Sequence, residues 1–411
     1  MMRLFTNALW ATVGLAVSGI SAVAAQGLEE VLSKQANLTT FRGLVKDHPD
    51  IFSKLPESGV TILAPIDSAY LKGQGWDANK DAIAIALQYG ILTSKVALNA
   101  FSPGDSRIVS TRLTDARFSN VTGGQTALVT KQPNNDVVIT SGVASRTTVL
   151  QTDVPFDGGL IQIIDSLMVP PARLETTARD AYQDLTAFLG ALYTAELVAD
   201  FAETPNVTIF APRNAAFQQV AGSLAGLSKE ALRRVLQYHL VPSRVVQASS
   251  LTNGTEFATA AGNKSLDITL YNNDIFVNSA RLIQTNILIA NGVVQMIDAV
   301  LNVDTPNVVL NVTAVSQSPV FTVTGAVETG TAAPTPFISA LPCTVSCPVS
   351  GGGSGGGGTG GTATGGVAAP SSSSGGVAAA RGTGLAGAAA AGAGLSLAMG
   401  LLGMEALGVI A

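Results

Sequence analysis

Thr208-Ile-Phe-Ala-Pro-Arg-Asn-Ala-Ala-Phe217, with Val207 before it, has an earlier version in the same chain: Thr61-Ile-Leu-Ala-Pro-Ile-Asp-Ser-Ala-Tyr70, with Val60 before it. The short apolar, β-branched run reads as a strand that Ala-Pro ends, because proline has no N–H to give to a ladder. The agreement continues outward on both sides. Upstream, Phe41-Arg-Gly-Leu matches Phe188-Leu-Gly-Ala; downstream, Leu87-Gln-Tyr matches Leu236-Gln-Tyr. Asn134-Asn-Asp-Val-Val-Ile then matches Asn272-Asn-Asp-Ile-Phe-Val, and Gly159-Leu-Ile-Gln-Ile-Ile-Asp165 matches Gly292-Val-Val-Gln-Met-Ile-Asp298. The order of segments is the same in both copies, so the body of the chain is a tandem repeat divided near Pro170-Pro171.

Each copy reads as α+β. A helical stretch (28–52; 178–203) leads into the apolar strand. A helix with one clear apolar face follows. In the second copy Ser228 is its N-cap, and Leu232, Val235, Leu236 and His239 fall at i, i+3, i+4 and i+7. Ile83, Ala86, Leu87 and Gly90 hold these places in the first copy. Short strands separated by Asn, Gly and Asp turns complete each unit, including 268–271, 275–277 and 293–297.

These residues resemble the fasciclin domain. The second copy carries the family's Thr-x-Phe-Ala-Pro-x-Asn-x-Ala-Phe pattern as Thr208 to Phe217. Its Tyr-His is Tyr238-His239, and its closing motif is Asn291-Gly-Val-Val-Gln-Met-Ile-Asp298. In the first copy Asp67 replaces the Asn, Gly90 replaces the His, and Gly158-Gly159 stands where Asn-Gly is usual. The resemblance implies two compact β-sheet wedges, each with helices packed on one side. It also implies cell adhesion or matrix binding. In animal members the Tyr-His region, and an Asp-Ile-Leu-type segment before the closing motif, are implicated in integrin binding. By position these are Leu236, Tyr238, His239, Leu240 and Val241, then Asn286, Ile287 and Leu288, with Asn286 in place of the acid. A fungal or plant-like surface protein fits this arrangement, with extracellular matrix, wall polysaccharide or a neighbouring-cell receptor as partner.

The simplest role for His239 is a buried one, its ring bonded to polar groups of the 208–217 motif. His48 is the only other histidine, so neither metal binding nor catalysis has an obvious set of residues. Gly352-Gly-Ser-Gly-Gly356 fits a nucleophile-elbow pattern, but it lies in low-complexity sequence and not between a strand and a helix. Asp165 and Asp298 fall one in each copy, whereas glycoside hydrolysis needs two acids across one cleft. Structural use of both is expected, with no enzyme activity and no cofactor.

The 411 residues are 12% charged with a net charge of −5 and no basic cluster, which excludes a nucleic-acid partner. Residues 1–25 have a basic start, an apolar run and small residues before Gln26, the layout of a cleaved signal peptide; a single-pass anchor is the alternative. Sequons at Asn37, Asn120, Asn206, Asn253, Asn263 and Asn311 suit an exported glycoprotein. The first domain is set at 26–170 and the second at 171–304. A disordered Ser/Thr/Pro-rich and then Gly-rich stalk is expected over 305–384. Cys343 and Cys347 form a small local disulfide or bond to another molecule. The small residues 371–376, a spacer and the apolar tail 385–411 make a glycosylphosphatidylinositol (GPI) signal with Ser374 as attachment site; a membrane span is the alternative. The expected address is the outer leaflet of the plasma membrane or the cell wall.

Overall fold

A computed structural model of the chain describes residues 26–56, 59–72, 79–305, 310–312, 314, 317–321 and 334–342. The signal peptide, Cys343, Cys347, Ser374, the Gly-rich part of the stalk and the apolar tail lie outside the described residues.

The first copy opens with helices α1 (Leu28–Ser33), α2 (Thr39–Asp47) and α3 (Pro49–Phe52), then strand β1 (Val60–Pro65). Helices α4 (Asp67–Lys72) and α5 (Lys80–Tyr89) follow, then β2 (Ile91–Leu92), β3 (Ser106–Ser110), β4 (Thr126–Lys131), β5 (Val137–Thr140), β6 (Arg146–Phe156) and β7 (Gly159–Ile164). They form one seven-stranded sheet in the order β2-β1-β7-β6-β5-β4-β3, antiparallel except where β1 meets β7.

The second copy repeats this. After α6 (Leu174–Thr176) come α7 (Thr186–Thr194), α8 (Val198–Glu203), β8 (Val207–Pro212), α9 (Asn214–Gln219), α10 (Ala221–Ala225) and α11 (Lys229–Gln237). The strands β9 (Leu240–Val241), β10 (Glu256–Ala258), β11 (Ser265–Tyr271), β12 (Asp274–Val277), β13 (Ala280–Ile289) and β14 (Gly292–Ile297) take the order β10-β11-β12-β13-β14-β8-β9, with β14 and β8 parallel. Every residue of β1, β7, β8 and β14 is buried, as expected of central strands covered on both faces.

Ala-Pro does not end the strand. Pro65 and Pro212 pair with Ile164 and Ile297 as the last residues of β1 and β8. The reason is directional. Leu63 N–H points to the β2 side, onto the Gly90 carbonyl, and Ile66 N–H points to the β7 side, onto Ile164. By alternation the Pro65 nitrogen faces the β2 side. There β2 has already finished, so no ladder bond is lost.

The stalk does not begin at 305 as the composition suggests. Phe321, Phe337 and Leu341 pack against the core of the second domain. The Phe337 ring meets Phe217 edge-on at 6.1 Å, and the Phe337 backbone lies directly against Gly190 of α7. Residues 187–192 of α7 are all buried; a helix apolar all round needs a cover on its outer side, and residues 334–341 supply it. Gly43, the matching glycine of α2, has open space where a Cβ would be. Alanine at the two sites therefore acts oppositely. Gly43→Ala raises stability by up to about 1 kcal/mol through helix propensity. Gly190→Ala drives the Phe337 backbone off α7, and limited proteolysis will show faster cleavage within 334–342.

The two domains are joined by direct contacts. Asn120 N–H donates to the Ala290 carbonyl (2.7 Å) and Asn120 Nδ2 to the Glu203 carbonyl (2.8 Å). In return the Asn206 side chain accepts from Thr122 N–H (2.7 Å) and donates to Thr122 Oγ1 (2.9 Å). Gln125, wholly buried, sends Nε2 to Phe118 O in its own domain and towards Ile289 O and Ala290 O across the junction.

Candidate functional site

The Tyr-His segment sits where α11 turns into β9. Ser228 Oγ caps α11 by accepting from Ala231 N–H at 3.2 Å, and the helix buries Leu232, Val235 and Leu236. Just past the helix end, His239 enters the core with no exposed surface. Its Nε2 accepts from Leu301 N–H (3.0 Å), so the proton is on Nδ1, which donates to the Val235 carbonyl (2.8 Å). The Phe188 ring lies 6.4 Å away. Burial pushes the imidazole down to about 4, so it is neutral at physiological pH. The ring thus fastens α11 to the segment after β14, and not to polar groups of the 208–217 motif. That motif reaches His239 through the main chain: Phe210 N–H donates to the His239 carbonyl at 2.9 Å.

The other residues carried over for adhesion are core residues as well. Leu236, Tyr238, Leu240, Val241, Ile287 and Leu288 are each at most 4% exposed. β9 pairs with β8 at the end of the sheet, and the Tyr238 hydroxyl donates to the Ser265 carbonyl while accepting from Asn278 Nδ2 (both 2.8 Å). As a contact surface the set is corrected by its burial: these side chains shape the domain and offer a partner nothing to touch. Pro242, Ser243 and Arg244, immediately after β9, are the accessible part of this region, with Ser243 and Arg244 exposed.

Asn286 is partly exposed but already bonded. It sits at φ +58 in the irregular pairing of β13 with β14. Its Oδ1 accepts from Ala248 N–H (2.9 Å) and Gln295 Nε2 (3.1 Å), and its N–H donates to Gln295 Oε1 (2.9 Å). The first copy keeps an acid at this place, Asp153, which sequence reading missed. Asp153 accepts from Leu98 N–H, Asn99 N–H and buried Gln162. The paired glutamines, each fourth in its closing strand, were the available signal. Both sites are turn locks.

Asp165 and Asp298 are structural too: each Oδ1 accepts a backbone N–H, from Thr148 at 2.9 Å and from Arg281 at 2.7 Å. Among the described residues no three His, Cys, Asp or Glu side chains gather as a metal site, and no helix is long and apolar enough to cross a membrane.

The sequons divide by environment. Asn37, Asn253, Asn263 and Asn311 are exposed. Asn120 and Asn206 are half-buried and face each other across the domain junction, and Thr208 of the Asn206 sequon is fully buried. A glycan on either Nδ2 would have to be placed within the junction, where that nitrogen now touches the other domain. Glycopeptide mapping is therefore expected to find Asn37, Asn253 and Asn263 occupied, and Asn120 and Asn206 bare.

The geometry defines a tandem pair of α+β units, each closed by a parallel strand pair, with the motif residues bonded inside. The chain belongs to the fasciclin domain family, whose model matches residues 36–170 and 183–303. It is similar to a fasciclin-like arabinogalactan protein of Arthroderma benhamiae, at 30% identity over 72% of this chain and 69% of that one. It is also similar to the fasciclin-like arabinogalactan protein CTB11 of Cercospora beticola, at 30% identity over 70% and 79%. Among solved structures it matches the FAS1 domain pair of the insect cell adhesion molecule Fasciclin I, at 18% identity and a TM-score of 0.33, over 67% of this chain and all of that one.

Proposed function

We propose that this fasciclin-domain protein is a GPI-anchored cell-surface glycoprotein that binds extracellular matrix, wall polysaccharide or a neighbouring-cell receptor through its paired domains. The observation that carries the reading is the junction. Reciprocal Asn120 and Asn206 bonds and the Gln125 side chain join the two domains, so that they present their exposed loops together. The relatives' name, fasciclin-like arabinogalactan protein, favours a glycosylated surface setting. The signal-peptide pattern at 1–25 and the GPI pattern around Ser374 supply export and tether. Many copies on one membrane turn weak single contacts into avidity. The reading requires neither cofactor nor catalysis.

Two measurements test it. Phosphatidylinositol-specific phospholipase C should release the protein from intact cells; retention after treatment argues against the anchor. Beads coated with the released protein should bind cells or wall polysaccharide saturably, before and after N-deglycosylation. Binding that disappears with the glycans would instead make the chain a structural wall glycoprotein that organises polysaccharide without a receptor.

A further inference from the structure

The two copies correspond residue by residue around one missing ring. Leu63 N–H donates to the Gly90 carbonyl at 2.8 Å, as Phe210 N–H does to His239 at 2.9 Å. Tyr89 and Tyr238 send their hydroxyls to the matching carbonyls of Thr126 and Ser265. In the second copy the imidazole fills the space between these elements. In the first copy there is no side chain to fill it.

Nothing in the backbone demands glycine there. Gly90 has φ −75 and ψ −2, open to any L-residue. A Cβ would lie 3.4 Å from the Ala86 and Leu63 carbonyls, an ordinary contact. The neighbours have not closed in either. Phe41, Leu63, Tyr70, Ala86, Gly90 and Met168 line a cavity of about 30 Å³. One water needs only ~10–15 Å³ on this measure. Leu63, where the second copy has Phe210, adds to the room.

By correspondence with the second copy, two lining residues supply the polar partners of the absent ring. Met168 corresponds to Leu301, whose N–H bonds His239 Nε2; the Met168 N–H makes no hydrogen bond among the described residues. Ala86 corresponds to Val235, whose carbonyl accepts from His239 Nδ1. The Ala86 carbonyl accepts from Gly90 N–H at 2.9 Å and retains a second lone pair. A way in exists. Ala86, Leu167 and Met168 also line an open cleft of about 610 Å³ with Lys72, Asp81 and Arg117 on its walls.

We propose that the first domain binds a neutral nitrogen heteroaromatic ring of imidazole size in this slot. One ring nitrogen accepts from Met168 N–H, the ring N–H donates to the Ala86 carbonyl, and any substituent lies in the cleft. A purely apolar ring would fill the space but leave the Met168 donor unpaired, and a buried unpaired donor is costly. Water would satisfy the donor but wet an apolar lining. A neutral azole satisfies both, as the chain's own imidazole does in the second copy.

The test is a titration of the full chain with 4-methylimidazole at pH 8, where most of the free ring is neutral, read at the Met168 backbone amide by NMR. Toluene is the apolar control. The expected result is a saturable shift of the Met168 resonance with 4-methylimidazole and none with toluene. Gly90→His, which brings its own ring, should weaken the response at least tenfold. Should that variant fold poorly, Gly90→Leu, which places an apolar side chain in the slot itself, should weaken it equally. No saturable shift, an equal shift with toluene, or a response unchanged in the folded variants would overturn the proposal.

Discussion

His239→Ala should lower the stability of the second domain by roughly 3–5 kcal/mol, with contributions from an emptied core site and a stranded donor. The side chain is wholly buried beside Phe188, so its loss leaves a cavity rather than a wetter surface. Leu301 N–H loses its acceptor in a place water does not reach. Denaturant unfolding will show this as a lower midpoint, while the first domain, with Gly90 at the matching place, is unaffected. The same ring gives a pH signature. Its folded-state value is about 4 against an ordinary 6.5. The unfolded chain therefore takes up the proton first as pH falls. The stability supplied by the neutral ring is complete above pH 6.5, declines through the window, and its loss levels off below 4. The drop is roughly 3 kcal/mol at about 1.4 kcal/mol per pH unit. His239→Gln, which cannot titrate, should lack this component and keep only the carboxylate titration common to both proteins. An identical pH profile in the two would show that the ring is not held neutral by burial.

How far the sequence could carry this structure is clearest at the places where it stopped. The repeated order of segments fixed the tandem plan, because strands such as 60–63 and 293–297 are mostly apolar and each recurs in the other copy with the same residues after it, Ala-Pro in one case and Asp in the other. The closing Asp and the Ser228 cap were legible because each bonds within a few residues or to the adjacent strand. What escaped depended on partners far along the chain. Pro65 and Pro212 stay in their strands because β2 and β9 are only two residues long, which neither proline's own neighbourhood reveals. The ring of His239 is held by Leu301, 62 residues later. Residues 334–341 look like linker by composition, yet a few aromatics suffice to dock them on a helix that lacks a polar face. The loss of histidine at Gly90 was visible in the sequence. That the surrounding residues had kept the space and the polar partners was not.

Leu240→Asp separates folding from adhesion, and its expected effect is large. Leu240 is 3% exposed and pairs with Ile209 between α11 and the central strands. The main-chain groups around it are engaged, including its own carbonyl, which accepts from Ala260 N–H at 2.8 Å. An aspartate there either carries an unpaired charge into the core or takes up a proton to avoid doing so, and it gives up the packing of the leucine in both cases. Together these cost about 4 kcal/mol or more, a large part of the ~5–15 kcal/mol that a domain has. Far-UV circular dichroism and the unfolding midpoint should fall together with any binding activity. Lost adhesion in this variant therefore reports an unfolded domain, although the residue belongs to the segment that the family resemblance points to. Arg244→Glu is the informative partner. Arg244 is exposed in the loop that follows β9, with its guanidinium 5.3 Å from the centre of the Phe257 ring. Reversing its charge should change stability by no more than about 1 kcal/mol, the worth of an exposed cation–π contact. Adhesion that is lost in Arg244→Glu with the fold intact places the partner at the accessible rim of the Tyr-His region. Adhesion that survives there, and fails only when the core is broken, moves the binding surface elsewhere on the domain pair.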